Sequence, residues 1–359
     1  MNITERSKFW LIFTLIVVAG FIGGILGNWL FIYLLDKYYD IPAGNYLAAP
    51  VTGDVIVRDS KPSASTNDFT QAVKSADTSL VGLFRYDAAK PETENFLPNN
   101  RVGQAAVLTS DGWIVTVTKF SPEAPLASFR VVTNDRKAYA IDKIVYDAPT
   151  QLSFLHLAQA QSLSVKEILM SRDLNPGQSI VGIEWDGAVE EGKLARFGEG
   201  IRISDTATMP LAVSGLGDRN LFLFDNAGRM AGLTQGRNAV AMDTIKILID
   251  KLLTSNSIAR ASLGVRYINL SNLPVATGNG ALLTADGTAP AVETGSAAQK
   301  AGLRAGDIIT TFDGVEVGSF SSLALLVQEY EPGDVVPVGY TRGGKPATVS
   351  VTLGRLTSK

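Results

Sequence analysis

Residue types able to do chemistry are sparse in this chain, and their scarcity narrows what it can catalyse. It has no cysteine and a single histidine, His156. Thiolate nucleophiles, disulfides and cysteine metal sites are thereby excluded, whereas the redox compartment is left open, because an exported protein can do without bridges. A serine nucleophile needs a base within hydrogen-bond reach, itself oriented by a third group, so an imidazole mechanism must use His156. That residue falls inside the apolar run LSFLHLA, which reads as a strand, and there it is better explained as structural. No grouping of side chains suggests a metal site. The strings LNPGQS and GLGDRN are too isolated to cradle a phosphate, so no cofactor is expected.

The elements that must carry any site divide the chain into an anchor, a tether and two folded units. Its 359 residues leave room for two ordinary domains and a linker. A net charge of −3 argues against a nucleic-acid partner, whose phosphates call for a basic face. Residues 9–35 carry no charge and, as a helix, would reach roughly 40 Å, enough to cross a bilayer. A cleaved signal peptide is the competing reading. The run is too long for one, and it ends in Trp29, Tyr33, Asp36, Lys37, Tyr38 and Tyr39, an interfacial belt. Arg6 and Lys8 before the span place residues 1–8 in the cytoplasm and the bulk of the chain outside. Gly20, Gly23, Gly24 and Gly27 have the spacing of close helix–helix contacts, although glycine is common in membrane helices anyway. Residues 36–70, rich in Pro, Ser, Gly and Thr in their polar stretches, read as a tether.

Beyond the tether the chain is strand-rich. QAAVLTSDGWIVTVTKF carries two β-prone runs around Ser110-Asp111-Gly112, a strong hairpin signal. Further short runs (FRVVTN, AYAIDKIVY, LSFLHLA, SIVGIEW, KLARFG, NLFLFDNAGRMAGLTQ and NAVAM) predict an all-β barrel or sandwich. Asp243 to Leu253 has helical spacing and reads as a closing helix, and the polar stretch 254–260 marks a boundary. From Ala261 a smaller unit follows, with a short helix ended by Gly302 and hairpins at Asp313-Gly314 and Arg342-Gly343-Gly344. An amphipathic helix after a Ser319 cap position is closed by Pro332-Gly333.

On SLGVRYI, GSAAQKAGLRAGDIITTFDGVEV and VSVTLG, residues 261–354 resemble a PDZ domain of the bacterial HtrA/Deg type. The resemblance implies a groove in which a peptide adds as a strand beside Gly264 to Ile268 and lies against a helix from Ser321 to Tyr330. The amides of Ser262, Leu263, Gly264 and Val265 match the family's loop for a peptide's C-terminal carboxylate. Leu323, Leu326 and Val327 are the helix positions placed toward the pocket, with core packing as their plainer role. An apolar pocket would favour apolar C-termini.

Residues 71–253 resemble the chymotrypsin-like domain of the same family, through GQAAVLTSDGWIVTVTKF, DAPTQLSFLHL, LNPGQSIVGIEWDG and LGDRNLFLFDNAGRMAG. The implied fold is mainly β: an N-terminal transmembrane helix, a chymotrypsin-like double β-barrel and a C-terminal PDZ domain. Carried over by position, the catalytic histidine is replaced by Lys119, the aspartate by Gln151 and the serine by Arg219. The nucleophile loop has become Gly217-Asp218-Arg219-Asn220-Leu221. Lys119, Gln151 and Arg219 are read as surface or packing residues in preference to a new site for acidic groups.

The implied protein is a pseudoprotease of a bacterial inner membrane, binding C-terminal peptides or unfolded segments of envelope proteins outside the cytoplasm. A homotrimer, common in the family, is an open expectation. One alternative is an active serine endopeptidase rearranged about Ser214, with Lys119 as a desolvated base. Another is a structural membrane subunit whose PDZ groove is closed or filled by its own chain.

Overall fold

Short β-prone runs separated by turn residues close into two barrels because each has one face that must be buried. The computed structural model describes residues 66–356, apart from 121–122, 124, 198–202, 208–209, 237, 274 and 276–277. The expected membrane helix at 9–35 lies outside the described residues. Among the described residues, no helix is long and apolar enough to cross a membrane.

Helix α1 (Thr66–Asp77) opens the described chain, its first five residues inside the stretch read as tether. The first barrel follows, from β1 (Leu80–Arg85), β2 (Arg101–Val107), β3 (Trp113–Thr116), β4 (Phe129–Thr133), β5 (Ala138–Asp147) and β6 (Leu152–Leu157). A short helix α2 (Glu92–Asn95) lies between β1 and β2. The strands close in the order β1-β2-β3-β6-β5-β4. The turn at Ser110-Asp111-Gly112 joins β2 to β3, with Ala106 opposite Val115 and Val107 opposite Ile114. Val81, Leu83, Ala105, Ile114, Val131 and Leu155 fill the interior.

The second barrel is built from β7 (Ser179–Ile183), β8 (Val189–Phe197), β10 (Pro210–Ser214), β11 (Phe222–Phe224), β12 (Met230–Gln235) and β13 (Asn238–Ala241). It closes in the order β10-β13-β12-β11-β7-β8. Strand β9 (Ile203–Ser204) stands in the connection between β8 and β10 and belongs to neither barrel. Helix α3 (Met242–Ser255) buries Met242, Ile245, Leu248 and Ile249 in a core shared with both barrels, beside Phe154 and Trp113 of the first and Phe222 and Phe224 of the second.

The third unit contains β14 (Ala261–Ser262), β15 (Arg266–Asn269), β16 (Ala281–Leu283), α4 (Ala297–Lys300), β17 (Ile308–Phe312), β18 (Val315–Glu316), α5 (Leu323–Gln328), β19 (Val335–Arg342), β20 (Lys345–Thr352) and β21 (Gly354–Arg355). Its main sheet runs β20-β19-β17-β16-β15-β9, so its last strand comes from the second barrel's connection. Helix α5 is shorter than the predicted 321–330, and its cap differs from the expected Ser319. Ser322 caps it, accepting from the Leu325 amide at 3.3 Å. Ser321, one residue earlier, donates instead to the Glu316 carbonyl.

Candidate functional sites

The connection from β10 to β11 carries Arg219, the position that the resemblance gives to the serine, and its backbone is tied to both barrels. Gln104 of β2 donates to the Asn220 carbonyl at 2.6 Å and accepts from the Trp185 amide at 2.6 Å. The Thr234 hydroxyl donates to the Arg219 carbonyl and accepts from the Leu221 amide, both at 2.6 Å. The Arg219 side chain is half exposed and turned onto carboxylates. Its Nε lies 2.9 Å from Glu184 Oε1 and its Nη1 3.8 Å from Glu190 Oε1. Glu190 Oε2 in turn accepts from the Gly217 amide at 2.7 Å. Burial pushes the Glu184 carboxyl above its usual range, opposed by the Arg219 charge.

Val117 and Thr118, just before Lys119, line a hollow of about 290 Å³ together with Glu184, Arg219 and Asn220. The segment of the histidine position and the residue of the serine position therefore meet. Lys119 itself is exposed, its ammonium 5.4 Å from the Tyr146 ring centroid. Gln151 is exposed, in the left-handed region at φ 56°, and does not line that hollow. The carbonyl before it, of Thr150, accepts from Gln235 at 2.7 Å.

The other two candidate residues sit elsewhere. Ser214 lines a hollow of about 420 Å³ with Gly217 and Asp218, and its hydroxyl donates to the Lys193 carbonyl at 3.3 Å. No histidine or lysine is among the residues lining that hollow. His156 packs on Trp113 with ring centroids 5.1 Å apart, and its Nδ1 is 2.7 Å from Asp142 Oδ1. It is a wall residue of the first barrel.

The loop between β14 and β15 is built to present its amides. Gly264 has φ 74°, and a Cβ there would come within 2.4 Å of Ser296 Cβ, so only glycine fits. The N–H groups of Leu263, Gly264 and Val265 converge on one carboxylate, that of Asp205, at 2.6, 3.2 and 3.1 Å. The Ser262 hydroxyl donates to it at 3.0 Å and accepts from the Gly264 amide. Asp205 is 1% exposed. Burial pushes its carboxyl up, while these donors pull it down. Leu323, Leu326 and Val327 are all buried in the core of this unit, with Leu263, Val265 and Ile203 in the same cluster.

Sequence reasoning named Ser262 to Val265 as candidates and missed Asp205, Glu184 and Glu190. No local pattern marks these three acids, whose roles arise where distant segments meet. It also missed a buried pair between the end of β5 and the start of the third unit. The Arg260 guanidinium contacts both oxygens of Asp147, at 2.8 and 2.6 Å.

Comparison with known proteins agrees with this architecture. The PDZ domain family matches residues 261–353. The chain is 24% identical over 340 residues to "Serine protease Do-like HtrA" of Lactococcus lactis subsp. cremoris (strain MG1363), covering 81% of this chain and 84% of that one. It is 25% identical over 280 residues to "Probable periplasmic serine endoprotease DegP-like" of Marinomonas sp. (strain MWYL1), covering 70% of this chain and 56% of that one. In fold it is similar to a solved structure, "HtrA-type protease AlgW with tripeptide", with a TM-score of 0.53 at 17% identity, over 81% of this chain and 98% of that one. With two closed barrels, a PDZ unit and these relatives, the chain is similar throughout its described length to the HtrA/Deg protease-plus-PDZ proteins.

Proposed function

We propose that the chain is a membrane-anchored, non-catalytic relative of the HtrA proteases that acts as an extracytoplasmic peptide-binding scaffold through its PDZ domain. The observation that carries the reading is the 262–265 loop, where three amides and a hydroxyl converge on a carboxylate. A peptide's C-terminus offers the same group, and a strand beside β15 supplies main-chain hydrogen bonds. The named structural relative was solved with a tripeptide, which agrees with a peptide as ligand. The apolar surroundings of Leu323, Leu326 and Val327 suit apolar C-terminal residues.

The nucleophile loop supports the non-catalytic half. At the serine position Arg219 is held by Glu184 and Glu190. The amide two residues earlier, whose counterpart in trypsin-fold enzymes faces the oxyanion, donates here to Glu190. Residues 9–35 would anchor the chain in a bacterial inner membrane, with C-termini of envelope proteins as ligands.

The test is full-length protein in detergent, incubated with unfolded casein and, separately, with a fluorophosphonate probe, beside an active family member. Neither cleavage nor labelling is expected. Labelling that disappears on Ser214→Ala would overturn the non-catalytic reading and establish a rearranged endopeptidase.

A further inference from the structure

The carboxylate in the 262–265 loop belongs to the chain itself, and its backbone follows the path a ligand would take. Ile203 and Ser204 pair antiparallel with Tyr267 and Arg266 at the free edge of β15. The Asp205 amide continues the ladder, donating to the Val265 carbonyl at 3.1 Å. Ile203 is buried in the PDZ core beside Leu263 and Val327. Gln328 of α5 donates to the Asp205 carbonyl at 3.3 Å, so the helix side of the groove is engaged too.

A true C-terminus would end at the loop, whereas this chain must leave it. It does so by a turn. The Ala207 amide donates to the Ser204 carbonyl at 3.0 Å, and the Ser204 and Thr206 hydroxyls lie 2.9 Å apart. The side-chain carboxylate of Asp205 thus stands where a peptide's α-carboxylate would stand, while the backbone turns back toward β10.

We propose that residues 203–207 are an intramolecular ligand of the PDZ groove, so that a peptide with a free, apolar C-terminus binds only by expelling this segment. The inference rests on the peptide-binding reading above. A tethered ligand acts at an effective concentration in the millimolar range, and the apparent affinity for a free peptide falls with the fraction of open groove. Carboxylate chemistry sets the competition, because the incoming group must satisfy the same three amides and hydroxyl that Asp205 satisfies at rest.

The experiment uses full-length protein in detergent and a fluorescein-labelled heptapeptide library, random except for Val, Leu, Ile or Phe at a free C-terminus. Its C-terminally amidated counterpart is the control. Asp205→Ala is expected to bind the free-acid library at least about tenfold more tightly than the parent, with no gain for the amide. Equal affinities would overturn the proposal.

The chain contains no cysteine, so Ser204→Cys with Arg266→Cys, directly opposed on paired strands, offers a second variant. Its Cα spacing suits a disulfide. Oxidation is expected to abolish peptide binding and reduction to restore it. Undiminished binding when oxidised would overturn the proposal without any appeal to the alanine variant's folding.

If no form binds the library, hydrogen exchange at the Leu263, Gly264 and Val265 amides decides. Protection in the parent that is lost in Asp205→Ala would uphold the self-ligand and sink the peptide-binding reading. Equal exchange in the two would sink the self-ligand.

Discussion

Arg219 shows how far a single position can be read before the fold is known. Its place in the nucleophile loop follows from counting back from the Gly228–Gly232 turn. Its partners Glu184 and Glu190 come from the β7–β8 hairpin, and nothing local to Arg219 names them. Glu184 is 8% exposed, with Asp186 and Arg101 as its other charged neighbours. Because burial raises its folded pKa above the unfolded value, the stability it contributes is present at low pH. It falls as pH rises through the folded value. Removing the guanidinium pushes that value higher. Arg219→Met is therefore expected to cost about 1 kcal/mol at pH 7, discounted for the half-exposed arginine, and less at pH 5. Urea unfolding at the two pH values checks this, and an equal loss at both would contradict it.

At the scale of elements, the β14–β15 connection depends on one backbone conformation. Gly264 at φ 74° aims the following amides at Asp205 while its missing Cβ makes room for Ser296 at the start of α4. Gly264→Ala adds backbone strain and a contact of 2.4 Å with another Cβ. A loss of about 2–3 kcal/mol is expected, with faster amide exchange at residues 263–265. An unchanged urea midpoint would show that the loop tolerates a side chain. The glycine was legible in the sequence, because SLGVRYI and GSAAQKAGLRAGD carry the PDZ pattern in short, locally determined stretches. The limits of α5 were less so. Three serines, Ser319, Ser321 and Ser322, offer a cap, and the choice of Ser322 depends on how the helix packs on Tyr267, whose hydroxyl accepts from the Ala324 amide at 3.0 Å.

Across the whole molecule, barrels and PDZ unit are joined by charge as well as by apolar contact. Asp147 at the end of β5 and Arg260 just before β14 form a bidentate pair, their side chains 3% and 4% exposed. Lys251 of α3 reaches the Tyr330 carbonyl at 2.6 Å and Glu331 at 3.0 Å. Breaking a buried pair strands a charge, so Asp147→Ala is expected to cost about 3–5 kcal/mol, whereas Asp147→Leu with Arg260→Met is expected to be near neutral. Trp113 and Trp185 lie in the barrels and the PDZ unit holds no tryptophan. With Trp10 and Trp29 replaced by Phe as background, tryptophan fluorescence follows the barrels, and exchange at Ile309 and Val338 follows the PDZ core. The two transitions are expected to separate in Asp147→Ala, and coincident transitions at the parental midpoint would contradict the coupling.

The sequence by itself determined the strand-rich first unit, its hairpin at Ser110 to Gly112, and the PDZ pattern from Ala261. Each is written in alternation and turn chemistry over a few neighbouring residues. It also offered Lys119, Gln151 and Arg219 as the triad positions that the resemblance implies. Only the tertiary structure decided what surrounds them, and only it brought Asp205 into the loop of Ser262 to Val265. A strand of two residues and a lone aspartate have no periodicity to betray them. Their role comes from hydrogen bonds made across 57 to 60 positions of chain, and such pairings exist only once the barrels and the PDZ unit have packed together.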